Sequence, residues 1–319
     1  MVSFLDEFWD YYSGSSSSGP ESSLSEQQQT QTQTPKTLPS PSPLLTKPII
    51  IKTKKNKQDL KILDLGTGNG SLLFSLSESG FGTNPDPDPE KGGGRLLGVD
   101  YSAESIRLAE AVASCRFSSS YSSLDTNPDT NANPPKRNNK IEFKEWDILR
   151  GDPSSLFSSP SDSGSSNDIS QKKFDLVLDK GTFDAISLSG ETDSLGRRVS
   201  EGYAARVADL LVEGGIFLVT SCNWTEVELQ AWFEGTSTTS TTTTTTTTDT
   251  TAPDDGKEKK QRVEKLRKIA RIDYPSFSFG GVKGQTISSL CFQKVVEEVE
   301  NQEGGDHSVV CRKVLYQDG

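Results

Sequence analysis

Imidazole is almost missing from this 319-residue chain: its one histidine, His307, lies in a polar tail. That scarcity excludes a histidine-based catalytic triad and a histidine-rich metal centre, so any chemistry here proceeds without imidazole and no metal is expected. Cysteine is also sparse. Cys115, Cys222, Cys291 and Cys311 are widely spaced with no Cys-x-x-Cys pair, which suits free thiols in a reducing compartment. Cys222 in particular reads as a small buried residue. No run of 18 apolar residues occurs, so no membrane-spanning helix is expected. The opening "MVSFLDEFWDYYSG" is acidic and lacks the basic start of a secretory signal. Basic residues are the minority, 34 against 45 acids, for a net charge of −11. Such a chain repels phosphate backbones, so nucleic acid is not an expected partner. Acidity suits either a basic protein surface or simple solubility. A cytoplasmic monomer is the expectation.

What is abundant is Ser, Thr, Pro and Asn, gathered in tracts at 13–43, 118–139, 151–171 and 236–255. None has apolar periodicity, so each reads as disordered padding of a surface loop. A smaller insertion, "NPDPDPEKGGG", lies within 82–94. The basic runs "KTKKNK" and "KEKKQR" flank such tracts and read as solvated linker charge. The resulting division is a short N-terminal helix at 1–12, a linker at 13–57, one domain at 58–295 and a tail at 296–319. Within the tail, "SVVCRKVLY" reads as either an added edge strand or a loose segment.

Between the tracts, strand and helix patterns alternate. "LKILDLG", "RLLGVD", "IEFKEWD", "FDLVLD" and "IFLVTSCN" read as strands. "SLLFSLSES", "SAESIRLAEAVAS", "YAARVADLLVEGG" and "TEVELQAWFEG" read as helices, the third ending on glycines. "RIDYPSFSFGG" and "TISSLCFQKV" are expected to close the sheet. This order predicts an α/β fold with a mostly parallel sheet and helices on both faces. Ligands bind such sheets outside the carboxyl ends of the strands. Asp64, Asp100, Asp147 and Asp179 each fall at or just past the end of one of the first four strands. Four acids at one rim suit a ligand that wants negative charge and acceptors.

"DLGTGNG" places Gly66, Gly68 and Gly70 on the first strand-to-helix turn. It fits a dinucleotide fingerprint imperfectly, because Ser71 stands where the third small residue belongs. Asp64 would also crowd a pyrophosphate, and no Gly-Lys-Ser/Thr phosphate loop is present. A cationic ligand without phosphates fits better, and S-adenosylmethionine is one. In that reading Asp64 lies near its amino-acid end and Gly66 and Gly68 let it approach the backbone. Asp100 accepts the ribose hydroxyls, Tyr101 lies beside the base, Asp147 accepts the adenine amine and Ile148 adds backbone and apolar contact. Each acid also has a plainer use, as a turn cap, a helix flank or a solvated loop charge.

"ILDLGTGNG", "LLGVDYS", "WDIL", "FDLVLDKGTFDAISL", "GGIFLVTSCNWTEVEL" and "PSFSFGGVKG" occur in this order. Together they resemble the seven-stranded class I methyltransferases that modify a lysine of translation elongation factor 1-alpha, of the fungal type. The resemblance runs from about Leu60 to Lys294. It implies strand order 3-2-1-4-5-7-6 with the last strand antiparallel, and methyl transfer from S-adenosylmethionine to a lysine nitrogen. It also implies that Asp179 faces the donor and the incoming lysine, with Asn223 bonding the substrate or capping the next helix. Phe183 and Trp224 would wall a lysine channel or pack the core. Family members carry a tryptophan-containing helix ahead of the first strand that helps cover the cofactor, and "FLDEFWDYY" resembles its start. The readings left beside this one are a non-catalytic module of the same fold and a methyltransferase of another protein or a small molecule. A dehydrogenase is more distant.

Overall fold

The computed structural model describes residues 1–12, 55–84, 93–118, 141–157, 173–234, 237–241, 260–274, 277–279, 282–284, 287–300 and 312–314. Most of the low-complexity tracts, together with His307 and Cys311, lie outside them.

The chain opens with helix α1 (Val2–Tyr12) and reaches strand β1 (Lys61–Leu65) through a short 3-10 turn. Helix α2 (Ser71–Glu78), strand β2 (Arg95–Asp100), helix α3 (Ala103–Ser118) and strand β3 (Ile141–Glu145) follow. Next come β4 (Phe174–Lys180), α4 (Thr182–Leu188), α5 (Tyr203–Leu210), β5 (Leu211–Ser221) and α6 (Glu226–Glu234). The rest is β6 (Ser237–Thr241), β7 (Lys260–Ile272), the small hairpin β8 (Phe277–Phe279) and β9 (Val282–Gly284), β10 (Ser288–Glu300), and β11 (Arg312–Val314).

One sheet runs β3-β2-β1-β4-β5-β10-β7-β6, with β11 added to β10. The pairs from β3 through β5 are parallel, while β10 is antiparallel to both β5 and β7. Counting β7 and β10 as sixth and seventh strands, the order is 3-2-1-4-5-7-6 with an antiparallel seventh. Parallel strands need crossovers; helices α2 and α3 and the α4–α5 pair supply those after β1, β2 and β4, and the helices cover both faces.

Alternate side chains of the central strands feed two cores, as the pleat requires. Leu63, Leu65, Val177, Phe217 and Val219 pack with Tyr203, Val207, Leu229 and Phe233 from α5 and α6. Ile62, Leu176, Leu178, Ile216 and Leu218 pack with Leu5 and Trp9 of α1 and with Leu73 and Leu76 of α2. Helix α1 is thus a packed part of the domain. Its Trp9 indole donates to the Lys55 carbonyl at 3.1 Å, and Asp6 pairs with Lys57 at 2.8 Å.

Several sequence expectations need correction. The sixth strand is Lys260–Ile272, earlier than "RIDYPSFSFGG", whose Phe277–Phe279 instead forms the two-stranded hairpin. Part of "KEKKQR" therefore lies in that strand. Lys55 of "KTKKNK" pairs with Asp175 at 2.8 Å, and Lys57 with Asp6, so this run is tied down at the start of the sheet. Ser237–Thr241, inside the threonine tract, pairs antiparallel with β7. Pro153–Leu156 forms a 3-10 turn that buries Leu156 against the core, so the tract from 151 begins ordered. The helix before β5 stops at Leu210, and "LVEGG" already belongs to the strand. Arg312–Val314 of the tail adds a strand to β10.

Candidate active site

The parallel register brings the expected acids to one rim. Leu65 pairs with Asp179, Asp64 with Gly98, and Asp100 with Glu145 of β3, two residues before Asp147. The turn after β5, with Asn223, adjoins them because Lys180 pairs with Thr220.

The turn after β1 is shaped by its glycines. Gly66 has φ +67°, and a Cβ there would lie 2.0 Å from Thr182 Oγ1, so only glycine fits. Thr182 occupies that space because its hydroxyl donates to the Leu65 carbonyl at 2.7 Å. Gly68 and Gly181 are the opposite case. A Cβ on either would meet nothing within 4 Å, which leaves an open cradle at the rim.

Asp64 is buried and accepts the Thr67 hydroxyl at 2.8 Å. Burial, with the like charges of Asp179 and Asp100, pushes its carboxyl up to about 7 despite that hydrogen bond. Asp100 accepts the Gly68 amide at 3.1 Å on one oxygen and the Ser102 amide at 3.0 Å on the other. These amides fix its orientation, and each oxygen keeps acceptor capacity for a diol. Tyr101 beside it is 79% exposed. Asp147 accepts the Leu149 amide at 2.8 Å and keeps a partly open carboxylate, with exposed Arg150 3.5 Å away. Ile148 is buried below it. An open glycine cradle, one oriented diol acceptor, one partly open acceptor and an exposed aromatic ring fit a cationic nucleoside ligand, with no phosphate-binding feature among them.

Asp179 is placed differently from the expectation. It has 0% exposure, and both its oxygens are taken by donors of the protein itself. One oxygen accepts the Thr182 amide at 2.8 Å, the other the Phe183 amide at 3.0 Å and the Tyr203 hydroxyl at 2.5 Å. The physical reason is the helix that begins at once after β4. Its first amides have no intrahelical partner, and Asp179 caps them. Burial pushes this carboxyl up to about 7, although the three donors work against that, and the buried Tyr203 phenol is raised as well. Asp179 thus fixes the first turn of α4 beside the rim.

Asn223 is exposed on the turn after β5, and Cys222 is exposed beside it rather than buried, because β5 ends at Ser221 and the turn lifts away from the core. Phe183 is buried among Tyr203, Trp224, Trp232 and Phe233, so it is core. Trp224 is partly buried, its indole donating to Ser187 Oγ at 2.9 Å. Sequence reading missed Thr67, Thr182, Asp184 and Tyr203. Asp184 and Thr182 stand inside "DKGTFDAISL", but their partners lie on other strands. Among the described residues no cluster of three metal-ligating side chains occurs, and no helix is long and apolar enough to cross a membrane.

Residues 56–123 match a family described as "Methyltransferase domain". The chain is 33% identical over 201 residues to the protein-lysine N-methyltransferase EFM4 of Saccharomyces cerevisiae, covering 63% of this chain and 60% of that one. It is 40% identical over 139 residues to efm4 of Schizosaccharomyces pombe, covering 44% of each. With EEF1A lysine methyltransferase 2 of Mus musculus it shares 32% over 122 residues, or 38% of this chain and 36% of that one. The chain spans 60% or less of the length of these curated relatives. This fold implies S-adenosylmethionine as methyl donor, in keeping with the open glycine cradle and the two rim acceptors. By sheet order, antiparallel seventh strand and matched sequence, the fold is that of the class I methyltransferases, and the chain resembles the EFM4 and EEF1A lysine methyltransferase 2 proteins.

Proposed function

We propose that this protein is an S-adenosylmethionine-dependent protein-lysine N-methyltransferase acting on translation elongation factor 1-alpha. The observation that carries the reading is the similarity to relatives named as lysine methyltransferases, the mammalian one for EEF1A, together with a rim that suits a cationic nucleoside. The bound donor supplies a sulfonium methyl, which passes to a neutral lysine nitrogen as the carbon–sulfur bond breaks, leaving a thioether and one proton for water. Asp64, Gly66, Gly68, Asp100, Tyr101, Asp147 and Ile148 would hold the donor.

The acceptor side asks for little chemistry. A lysine brought into a water-poor channel loses its proton more readily, because desolvation disfavours the ammonium form. Alignment of nitrogen and methyl then supplies most of the rate. Asn223, exposed on the turn after β5, offers its amide to the substrate, and Asp179 holds the first turn of α4 in place. A cytoplasmic, monomeric enzyme goes with this reading.

The test is calorimetric titration with S-adenosylmethionine, followed by transfer of labelled methyl to purified elongation factor 1-alpha. Micromolar binding and label on a lysine of that protein are expected. Binding without transfer to it would overturn the substrate assignment, and absence of binding by folded protein would overturn the enzyme reading.

A further inference from the structure

Helix α4 contains a second buried acid that neither caps its own helix nor, among the described residues, forms an ion pair. Asp184 is 6% exposed. Its carboxylate accepts the Ser221 hydroxyl at 2.5 Å and the Cys222 amide at 2.9 Å, both at the end of β5. The Ser221 oxygen in turn accepts the amides of Asn223 at 3.0 Å and Trp224 at 2.9 Å. One hydroxyl therefore closes the turn, and Asp184 orients that hydroxyl. The far end is held by the same helix: the Trp224 indole donates to Ser187 Oγ, which donates to the Asp184 carbonyl at 3.2 Å. A buried carboxylate is costly unless its acceptors are filled, and here the donors come from the turn alone.

We propose that Asp184 is a positioning residue that clasps the turn after β5 and so sets Asn223 and Trp224 for the protein substrate. The proposal rests on the methyltransferase reading for its substrate, though not for its geometry. The donor-side groups Asp100 and Asp147 make no hydrogen bond to this network, whereas exposed Cys222 and Asn223 lie on the turn it holds. Loosening the clasp should therefore spare donor binding and impair use of the protein.

The test uses the full chain with Asp184→Asn, Ser221→Ala and their double variant. Asparagine keeps the shape but sets an NH2 against a donor. Donor Kd should stay within about twofold of wild type, while the KM for elongation factor 1-alpha rises about tenfold or more. The double variant should be no worse than the more severe single one, because both break one network. Amide exchange at residues 222–224 should quicken, with the turn after β1 unchanged. Ser187→Ala, which frees only the Trp224 end, should shift KM the same way by less and serves if Asp184→Asn does not fold. Donor Kd and protein KM rising together, additive effects, or unaltered exchange at the turn would each overturn the clasp. A wild type that transfers no methyl to the factor defeats the functional reading alone, since exchange still reads the clasp.

Discussion

The two halves of the rim use the same residue type in opposite ways. At the tip of β2 and just past β3, Asp100 and Asp147 are oriented by backbone amides, Asp100 with one amide on each oxygen and Asp147 with a partly open carboxylate. At β4 and in α4, Asp179 and Asp184 are buried with both oxygens occupied by donors of the protein itself. The difference lies in how the helix after each strand is capped. Beyond β2, Ser102 enters α3 and its hydroxyl accepts the Ser105 amide at 3.3 Å, so Asp100 is not needed to cap that helix. Beyond β4, α4 begins behind Gly181 with no capping side chain of its own, and Asp179 must serve. One half of the rim is a pair of acids oriented by backbone amides, to which the proposed function gives the donor. The other is a frame whose acids hold turns in place.

Removing a frame acid should harm stability most. Asp179→Ala strands two amides and the Tyr203 hydroxyl in the core, at about 3 kcal/mol or more, read from urea unfolding. Loss of donor affinity without loss of stability would instead place Asp179 among the ligand acceptors and erase the contrast. Asp100→Ala should do the reverse, weakening S-adenosylmethionine by roughly 10- to 100-fold, as expected for charge-assisted hydrogen bonds, with a small change in the urea midpoint.

Asp64 stands between the halves, and its titration sharpens the boundary. Its carboxyl is raised to about 7 from an ordinary 3.8. Its contribution to stability is therefore full below pH 3.8 and is lost as pH rises through about 7, because the buried group must then ionise. Asp64→Asn should lessen the wild-type fall in stability over that window, leaving the part due to Asp179, which is raised to about 7 as well, measured by unfolding at pH 5 and 8. It should also weaken the cationic donor most above pH 7. Equal slopes would show that Asp64 is not the group titrating. The smallest effect is expected from Tyr101→Ala, a few-fold in donor Kd with little change in stability, since most of its surface is exposed.

Much of this was legible in the sequence because its causes are local. The apolar runs of the first five strands, the glycine turn and Ser102 at the head of α3 need no distant partner to be read. The sixth strand was not legible. Val263, Leu266 and Ile269 recur every third residue among Lys, Arg and Glu, a helical spacing, yet the segment is a strand because β10 pairs with it along its length. Pairing across the sheet outweighed local preference. Ser237–Thr241 was hidden in low complexity for the same reason.

The order of strands and helices, the glycine turn and the set of acids that end at the rim are written in the chain itself, since periodicity and backbone sterics act over a few residues. Which of those acids are filled by donors from distant elements was settled by the assembled fold alone. Asp184 and Ser221 are 37 residues apart, Asp179 and Tyr203 24. No short-range pattern links such pairs; their hydrogen bonds form only once the sheet has set the strand ends side by side.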